Sequence, residues 1–183
     1  MCNAKCLDFV ITAMANKDMS DADILEVGSL DVNGTPRSII SADSVKSYLG
    51  VDIISGKGVD QICDVQDLVS TFGENKFNIV ITTEMLEHVL DWRSAINNMK
   101  DVTKPGGVLI ITTRSKRFGL HDFPGDYWRY ELDDMRAIFA DWEIELLEPD
   151  HDPGVFVKAR KPLGKYQQVN LDAIELYSMA NER

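Results

Sequence analysis

Short apolar runs alternate with amphipathic stretches over most of this chain. Four of these runs have the length and the apolar content of buried strands. They cover residues 23–27, 47–53, 77–83 and 107–113. Strands that alternate with helices are typical of a parallel sheet covered by helices, so the pattern predicts that architecture.

Helical periodicity is clearest in the stretch that follows Asp91, a candidate N-cap. Its apolar stripe consists of Trp92, Ala95, Ile96, Met99, Val102 and Thr103. We expect this helix to end at the Lys-Pro-Gly-Gly of residues 104–107, where glycine and proline oppose its continuation. Further helices are predicted around residues 6–16 and over residues 131–140.

The last third of the chain predicts two more strands, at residues 142–147 and 155–159. The turn-rich segment 148–154 joins them so closely that we expect them to run antiparallel. We predict one domain over residues 1–162, in which residues 1–20 form an N-terminal helical cap. Residues 163–183 are predicted to be a tail or a short helix. The apolar positions of that helix would be Leu171, Ile174, Leu176 and Tyr177.

Composition narrows the class of protein. A chain of 183 residues that is 44% hydrophobic fits a single domain with a substantial core. The net charge of −11 would repel a polyanion, which disfavours nucleic acid as a partner. The apolar runs are too short for a membrane span, and residues 7–15 lack the basic cluster of a secretory signal. Cys2, Cys6 and Cys63 show no C-x-x-C spacing, which indicates reduced thiols of a cytoplasmic protein.

Two strand ends, 24 residues apart, predict a nucleoside pocket. The first strand ends in a glycine turn at Gly28, and the second ends in a carboxylate at Asp52. In a parallel sheet such a glycine lets a ligand touch backbone, and such an acid meets both ribose hydroxyls. The next glycine after Gly28 is Gly34, so the G-x-G-x-x-G of a dinucleotide site is missing and a pyrophosphate cradle is not expected.

Five stretches of the chain carry a family resemblance. They are LEVG (25–28), GVDI (50–53), ICDVQDL (62–68), FNIVITTEMLEHV (77–89) and KPGG (104–107). In this order and spacing the chain resembles the S-adenosylmethionine-dependent methyltransferases of the Rossmann-like class I (methyltransferase type 11-like) over residues 22–160. The resemblance implies an α/β fold with a doubly wound sheet of about seven strands. The sheet would be mostly parallel with its last strand antiparallel, with helices on both faces.

The resemblance also implies a cofactor site for S-adenosylmethionine, with S-adenosylhomocysteine as the product. Its residues would be Glu26, Gly28, Ser29, Asp52, Ile53, Asp64, Val65, Thr83 and Glu84. Glu26 would hold the methionyl ammonium, and Asp52 would accept from the ribose hydroxyls. The alternative is that these residues are ordinary strand ends, turns and caps. The loop departs from the family's glycine-rich pattern at Leu30 and Val32.

The remaining cofactor residues would surround the adenine and the reactive methyl group. Asp64 would accept from the adenine amino group, and the backbone N–H of Val65 would donate to the ring. Ile53 would pack on the adenine face. Thr83 and Glu84 stand at the carboxyl end of the fourth strand, where an open α/β sheet presents the reactive end of its ligand.

The sequence Glu84-Met85-Leu86-Glu87-His88 allows two interpretations. Spacings of three and four residues bring the two carboxylates and the imidazole near one helical face, where they could ligate a divalent ion. A few relatives use E-x-x-E-H in this way. Most similar sequences use these residues for packing and hydrogen bonding, and we favour that interpretation and predict no metal. His88 could still approach the methyl acceptor.

Acceptor recognition is expected in residues 114–130, a polar and aromatic segment after the fifth strand. Methyl transfer is an in-line displacement, so the protein mainly holds the acceptor and removes a proton from a hydroxyl. His121 is the first candidate for that base because imidazole exchanges protons near neutral pH, and Asp126 is the second. A capping or surface role is the alternative for His121. Tyr127, Trp128 and Arg129 would line the pocket or, as we favour, anchor the loop.

The sequence thus predicts an enzyme that transfers a methyl group to oxygen or nitrogen of a small or medium organic acceptor. The alternative is a catalytically silent binding or regulatory protein, which the irregular loop over residues 28–34 favours. A nucleic-acid methyltransferase is disfavoured by the acidity and by Thr82-Thr83-Glu84-Met85 in place of an N/D-P-P-Y/F sequence. We expect a cytoplasmic monomer or homodimer with a small-molecule partner, no nucleic acid and no membrane.

Overall fold

A seven-stranded sheet forms the centre of the molecule in the computed structural model, which describes residues 4–15, 18–121 and 125–182. Its strands are β1 (Asp23–Val27), β2 (Ser47–Asp52), β3 (Gln61–Ile62), β4 (Phe77–Thr83), β5 (Thr103–Arg114), β7 (Glu143–Asp150) and β8 (Gly154–Arg160). Two short strands, β6 (Trp128–Arg129) and β9 (Tyr177–Ser178), form a separate antiparallel pair. The strand order of the main sheet is β3-β2-β1-β4-β5-β8-β7.

The strands of the sheet run in the directions that the sequence pattern predicts. Parallel pairing joins β1 to β2, β1 to β4, β2 to β3 and β4 to β5. β8 runs antiparallel to both of its neighbours, β5 and β7, and is the last strand of this sheet along the chain. The predicted fold class is therefore confirmed. The order reverses between β1 and β4, which creates the crevice where open α/β sheets bind ligands.

Helices cover both faces of the sheet. They are α1 (Ala4–Met14), α2 (Leu68–Phe72), α3 (Trp92–Val102) and α4 (Leu132–Ile138). Phe9 of α1 belongs to the same buried cluster as Ile24 of β1, whereas Leu25 of β1 belongs to the cluster that contains Ile96 of α3. Successive strand residues point to opposite faces, so β1 is apolar on both sides, as a strand between two helical layers must be.

The predicted helix after Asp91 is present, but its end differs from the expectation. The Asp91 side chain accepts from the backbone N–H of Ser94 at 3.1 Å, which confirms the N-cap. The helix ends at Val102, and the Lys-Pro-Gly-Gly sequence already belongs to β5. The ammonium of Lys161 donates to the carbonyls of Lys100 at 2.8 Å and Thr103 at 2.7 Å, and so satisfies the helix terminus from outside.

The other predicted elements shift by a few residues. The first helix begins two residues before its predicted start, and residue 16 of the prediction lies outside the described residues. Helix α4 is shorter than residues 131–140 because Glu131 is its N-cap, in a capping box with Asp134. Of the cysteines, Cys6 and Cys63 are buried thiols, and Cys2 lies outside the described residues.

The tail after residue 162 forms no α-helix where the pattern suggests one. Leu171 begins a one-turn 3-10 helix and is buried, and Tyr177 belongs to β9. The guanidinium of Arg93 donates to the carbonyls of Leu171 at 3.0 Å and Ile174 at 2.6 Å, which holds this segment extended over α3. Among the helices of the described ranges, none combines the length and apolarity needed to cross a bilayer.

Candidate active site

A cavity of about 740 Å³ opens at the carboxyl ends of β1, β2, β3 and β4. It lies at the position where the strand order reverses. Its lining includes Glu26, Gly28, Leu30, Asp52, Ile53, Cys63, Asp64, Val65, Thr83, Glu84, Met85, His88, Leu90 and His121. The cavity has the size of a small-molecule site, with mostly apolar walls and a few polar groups that converge on it.

The turn after β1 brings backbone to the cavity wall. Gly28 has a φ of +77°, a conformation that side chains with a Cβ rarely adopt. A Cβ added there would lie 2.8 Å from Cγ of Met85, so only glycine fits. The backbone N–H of Gly28 donates to the carbonyl of Val51 at 2.9 Å, which fixes the turn against β2. The wall is thus bare backbone at the point where sequence reasoning places the cofactor.

Glu26 places a buried carboxylate at this end of the cavity and is only 1% exposed. Its Oε1 accepts from the hydroxyl of Thr35 at 2.7 Å, and its Oε2 accepts from the hydroxyl of Tyr48 at 2.7 Å. Burial raises the pKa of Glu26 to about 7, although both hydroxyls and the charge of Arg37 act to lower it. The carboxyl group therefore changes charge near neutral pH.

Two further carboxylates line the cavity among apolar side chains. Asp52 accepts backbone N–H groups from Leu30 and Ile54, each at 3.1 Å, which fixes its orientation at the end of β2. Asp64 caps a 3-10 turn by accepting from the N–H of Gln66 at 2.9 Å. A carboxylate has about four acceptor positions, so each group retains capacity for a ligand's hydroxyl or amino donors.

Glu84, at the end of β4, is held in a strained conformation. Its φ of +54° is unusual for a residue other than glycine, and its backbone N–H donates to the carbonyl of Thr112 at 2.9 Å. Its carboxylate forms a buried ion pair with Arg114 and contacts the thiol of Cys6 at 3.5 Å. Burial, together with the nearby charge of Glu87, raises the pKa of Glu84 well above its ordinary value, against the opposing charge of Arg114.

Glu87 lies behind Glu84 and is fully buried. Its Oε2 accepts from the hydroxyl of Thr113 at 2.8 Å, and its Oε1 lies 3.7 Å from Nε2 of His121 and 3.9 Å from Nε2 of His88. Burial acts to raise the pKa of Glu87, but His121 and His88 outweigh it and lower that pKa. Two neighbouring carboxyl groups with pKa values shifted in opposite directions are typical of sites that move protons.

The three groups that meet at this end of the cavity also have the spacing of a metal site. Each of Glu87, His88 and His121 offers one ligand atom, and these three atoms lie within 4.8 Å of one another. A carboxylate with two imidazoles suits a transition metal such as zinc. The sequence prediction of no metal is not tested by this geometry and stays a prediction.

His121 is oriented by Asp126. Its Nδ1 lies 3.1 Å from Oδ2 of Asp126, and its backbone N–H donates to the same oxygen at 3.0 Å. Its Nε2 is buried and has no hydrogen-bond partner among residues of the described ranges. In the neutral tautomer that donates through Nδ1, the acceptor nitrogen of this ring is Nε2.

The structure places Asp126, the second candidate base, in contact with Arg129 and His121. Asp126 is not among the residues that line the cavity, and it is paired with the buried guanidinium of Arg129, which donates to it at 2.6 Å. Burial acts to raise the pKa of Asp126, but Arg129 and His121 outweigh it and hold that pKa at about 2. A carboxylate with so low a pKa is charged at neutral pH and accepts from the His121 ring.

All residues predicted for cofactor binding except Ser29 line the cavity. The hydroxyl of Ser29 is buried and packs against Gly50, where a Cβ would lie 2.8 Å from it. Gly50 has no side chain and therefore leaves the space that Ser29 fills, which turns Ser29 away from the cavity. Sequence reasoning missed Met85, Leu90 and Cys63 as lining residues, since apolar side chains and a single thiol carry no chemical signal.

The segment after β5 is anchored rather than open. Residues 122–124 of the predicted acceptor segment lie outside the described residues. The backbone N–H of Tyr127 donates to the carbonyl of Glu87 at 2.8 Å, and the indole of Trp128 donates to the carbonyl of Leu90 at 3.0 Å. Arg129 holds the carbonyl of Gly119 at 2.9 Å. These contacts favour the anchoring interpretation, and they keep His121 beside the cavity.

A Rossmann-like sheet with a nucleoside-sized cavity at its switch point defines a class of cofactor-binding α/β proteins. A family model described as a methyltransferase domain matches residues 3–149. The chain belongs to this methyltransferase-domain family.

Individual relatives are distant. The chain is 23% identical over 157 residues to the ubiquinone biosynthesis O-methyltransferase of Parvibaculum lavamentivorans, a match that covers 80% of this chain and 62% of that relative. It therefore spans less than two thirds of this relative's length.

Solved structures show the same fold. The Burkholderia thailandensis 1,6-didemethyltoxoflavin-N1-methyltransferase, solved with bound S-adenosylhomocysteine, has a TM-score of 0.63 and 14% identity, and the match covers 87% of this chain and 77% of that one. The [4+2]-cyclase SpnF has a TM-score of 0.66 and 18% identity, and the match covers 87% of this chain and 81% of that one. The fold thus accommodates more than one chemistry, and the site must carry the functional argument.

Proposed function

We propose that this protein binds S-adenosylmethionine and transfers its methyl group to oxygen or nitrogen of a small or medium organic acceptor. One observation carries the proposal: a single cavity is lined both by Glu26, Gly28, Asp52 and Asp64 and by the imidazole of His121. Membership of the methyltransferase-domain family supports it. The distant O-methyltransferase relative is consistent with oxygen as the methylated atom.

The residues present fit an adenosyl cofactor with an amino-acid end. Glu26 would accept from the ammonium, Asp52 from the ribose hydroxyls and Asp64 from the adenine amino group, while Ile53 and Val65 offer apolar surface to the ring. At Gly28 the backbone itself forms part of the cavity lining, and the side chain of Met85 packs where a Cβ on residue 28 would lie. When bound, the cofactor supplies a methyl group on a positively charged sulfur.

The protein itself holds the acceptor and removes its proton. His121 would take a proton from the acceptor at Nε2, while Asp126 holds the imidazole through Nδ1. Arg129 holds Asp126 in place from the other side. His88 directs Nδ1 to the carbonyl of Gly125, so it borders the acceptor but already uses one nitrogen. Burial of this end of the cavity excludes water and strengthens these contacts.

A binding or regulatory protein without catalysis is the alternative. The loop over residues 28–34 favours it, because the backbone N–H of Leu30 already donates to one of the two Asp52 carboxylate oxygens. Calorimetry with S-adenosylhomocysteine tests the cofactor site. We expect binding that Asp52→Ala abolishes and that the surface control Asp133→Ala, at a side chain 94% exposed, leaves unchanged.

Catalysis is tested by release of S-adenosylhomocysteine from S-adenosylmethionine in the presence of panels of phenols, carboxylic acids and amines. Acceptor-dependent release supports the proposed enzyme. Tight binding of the cofactor without release for any panel member supports the silent alternative. Absence of any cofactor binding by the wild-type protein would overturn the proposed enzyme and would favour the regulatory alternative.

A further inference from the structure

Two hydroxyl groups from different elements hold the carboxylate of Glu26. Thr35 follows the loop after β1 and donates to Oε1 at 2.7 Å, and Tyr48 on β2 donates to Oε2 at 2.7 Å. The hydroxyl of Thr35 also accepts the backbone N–H of Arg37 at 3.2 Å. This acceptance leaves the hydroxyl proton of Thr35 directed at Glu26. The carboxylate is thereby fixed in position and in rotation.

A second layer holds the two hydroxyls. The guanidinium of Arg37 lies over the ring of Tyr48, 4.6 Å from its centroid, and pairs with Asp60. Asp60 accepts the backbone N–H of Gly50 at 2.7 Å, so this layer is tied to β2. A ring covered by a cation and fixed to a strand has little freedom, which makes the hydroxyl of Tyr48 a pre-arranged donor.

The irregular loop after Gly28 explains how Thr35 reaches this place. Asp31 accepts the backbone N–H of Gly34 at 3.0 Å, and Gly34 has a φ of +120° that turns the chain back towards β1. The next residue, Thr35, then lies beside Glu26. The loop that departs from the glycine-rich pattern therefore places a hydroxyl donor beside the Glu26 carboxylate.

We propose that Thr35 and Tyr48 are positioning residues for the recognition of an α-amino-acid ammonium group, because they fix the Glu26 carboxylate and favour its charged form. The inference rests on the proposed function, since the ammonium is the amino-acid end of the adenosyl cofactor. It assigns to these two residues the selectivity between nucleosides with and without an amino-acid end.

The charges around Glu26 give the sign of the pH dependence. Arg37 favours the charged form, and Asp31 opposes it. Burial raises the pKa of Glu26 to about 7, and the two hydroxyls act in the opposite direction. Loss of either hydroxyl therefore raises this pKa further, so a cationic ligand would need a higher pH to meet a charged carboxylate.

Calorimetry with two nucleosides tests the inference. S-Adenosylhomocysteine carries the ammonium group, and methylthioadenosine has the same nucleoside and sulfur without the amino-acid end. We expect Thr35→Val and Tyr48→Phe each to weaken the binding of S-adenosylhomocysteine about tenfold near pH 7. This is the effect expected when a hydrogen bond to a charged group is lost. Methylthioadenosine should bind both variants as it binds the wild type, and Thr35→Ser should retain the wild-type affinities.

The pH profile separates positioning from general damage. Between about pH 6 and pH 8.5, the affinity of the wild type for S-adenosylhomocysteine should rise with a midpoint near 7. The midpoint should move to higher pH in Tyr48→Phe, and methylthioadenosine should show a flat profile. Equal losses for both nucleosides, or no loss for either, would overturn the inference and leave the cofactor site intact as a proposal. If the wild type binds neither nucleoside, the proposed function fails as well.

Discussion

Individual residues at the inner end of the cavity define what the site can do chemically. His121 presents a nitrogen without a partner among the described residues, whereas Asp126 is committed to Arg129 and to the imidazole. Under the proposed function, His121 transfers the proton and Asp126 orients its ring. We therefore expect replacement of His121 to affect the rate more than the binding of the cofactor.

Replacement of His121 by Asn should therefore lower turnover with the accepted substrate by about a hundredfold or more, the usual contribution of a general base. Affinity for S-adenosylhomocysteine should change by less than about threefold. Single-turnover rates and calorimetry measure the two effects. A variant that keeps full turnover would exclude His121 as the base and would direct attention to His88, its neighbour at a ring-centroid distance of 4.7 Å.

Residue-level prediction from the sequence is most direct where a side chain follows from a strand end. Glu26, Asp52 and Thr83 line the cavity because parallel strands end at one edge. Sequence reasoning could not foresee the direction of the Ser29 side chain, which depends on the absence of a side chain at Gly50. It also could not foresee that Arg129, a residue of the same loop, would neutralise Asp126. Both outcomes depend on packing between separate segments.

The buried carboxyl group of Glu26 makes a prediction for stability. A pKa raised to about 7 in the folded protein means that folding favours the protonated form. The contribution of Glu26 to the free energy of unfolding is fully present below the pKa that this group has in the unfolded chain. It is lost as the pH rises through about 7, the pKa in the folded protein. Between about pH 5.5 and pH 8 the wild type should lose about 2 kcal/mol through this group.

The neutral variant Glu26→Gln lacks this titration, so its stability relative to the wild type should increase by about 2 kcal/mol over the same interval. Urea unfolding at both pH values measures the change. Asp133→Ala is a suitable control because its side chain is 94% exposed. Parallel pH dependence of wild type and Glu26→Gln would show that the carboxyl group is already ionised in the folded protein.

Among the elements, the strands have bounds close to those predicted from the sequence, whereas the terminal segment differs from its predicted helix. Strands β1 and β4 have the bounds that their apolar runs predict, because burial on both faces specifies them locally. The end of α3 depends on Lys161, which is distant in sequence. The tail depends on β6, with which β9 pairs. Contacts of this kind leave no periodic signal in the tail itself.

The tail also reaches the acceptor end of the cavity. The backbone N–H of Met179 donates to the carbonyl of Tyr127 at 2.8 Å, and the N–H of Tyr127 donates to the carbonyl of Glu87 at 2.8 Å. Through this chain of hydrogen bonds, β9 supports the loop that carries Asp126. The division into a domain of residues 1–162 and a separate tail remains a prediction, and these contacts suggest an experiment for it.

Deletion of residues 177–183 should lower turnover by about tenfold and leave affinity for S-adenosylhomocysteine nearly unchanged, since β9 pairs with β6, which belongs to the proposed acceptor segment. Hydrogen exchange of the β6 amides should become faster in the truncated protein. Leu163→Ala, at a side chain 84% exposed, provides a control within the tail. Unchanged exchange and turnover would show that the loop is held without β9.

At the scale of the whole molecule, the sheet gathers side chains that lie far apart in the sequence. Glu26 and His121 are separated by 95 positions (121 minus 26), yet both line one cavity. The order of strand motifs predicts the cofactor half of this cavity, because strand ends must share an edge. The acceptor half comes from a loop that folds back over β4, and its geometry required the structure.

The same assembly places Glu87, His88 and His121 close enough to bind a cation, so the prediction of no metal is open to a direct test on the whole protein. If the role of His121 is proton transfer, dialysis against a chelator should leave the melting temperature, cofactor affinity and turnover unchanged. Added zinc should then inhibit, because it would occupy Nε2 of His121 and remove the proton acceptor. Loss of turnover on chelation, restored by a divalent cation and abolished in Glu87→Gln, would instead assign these three residues to a metal.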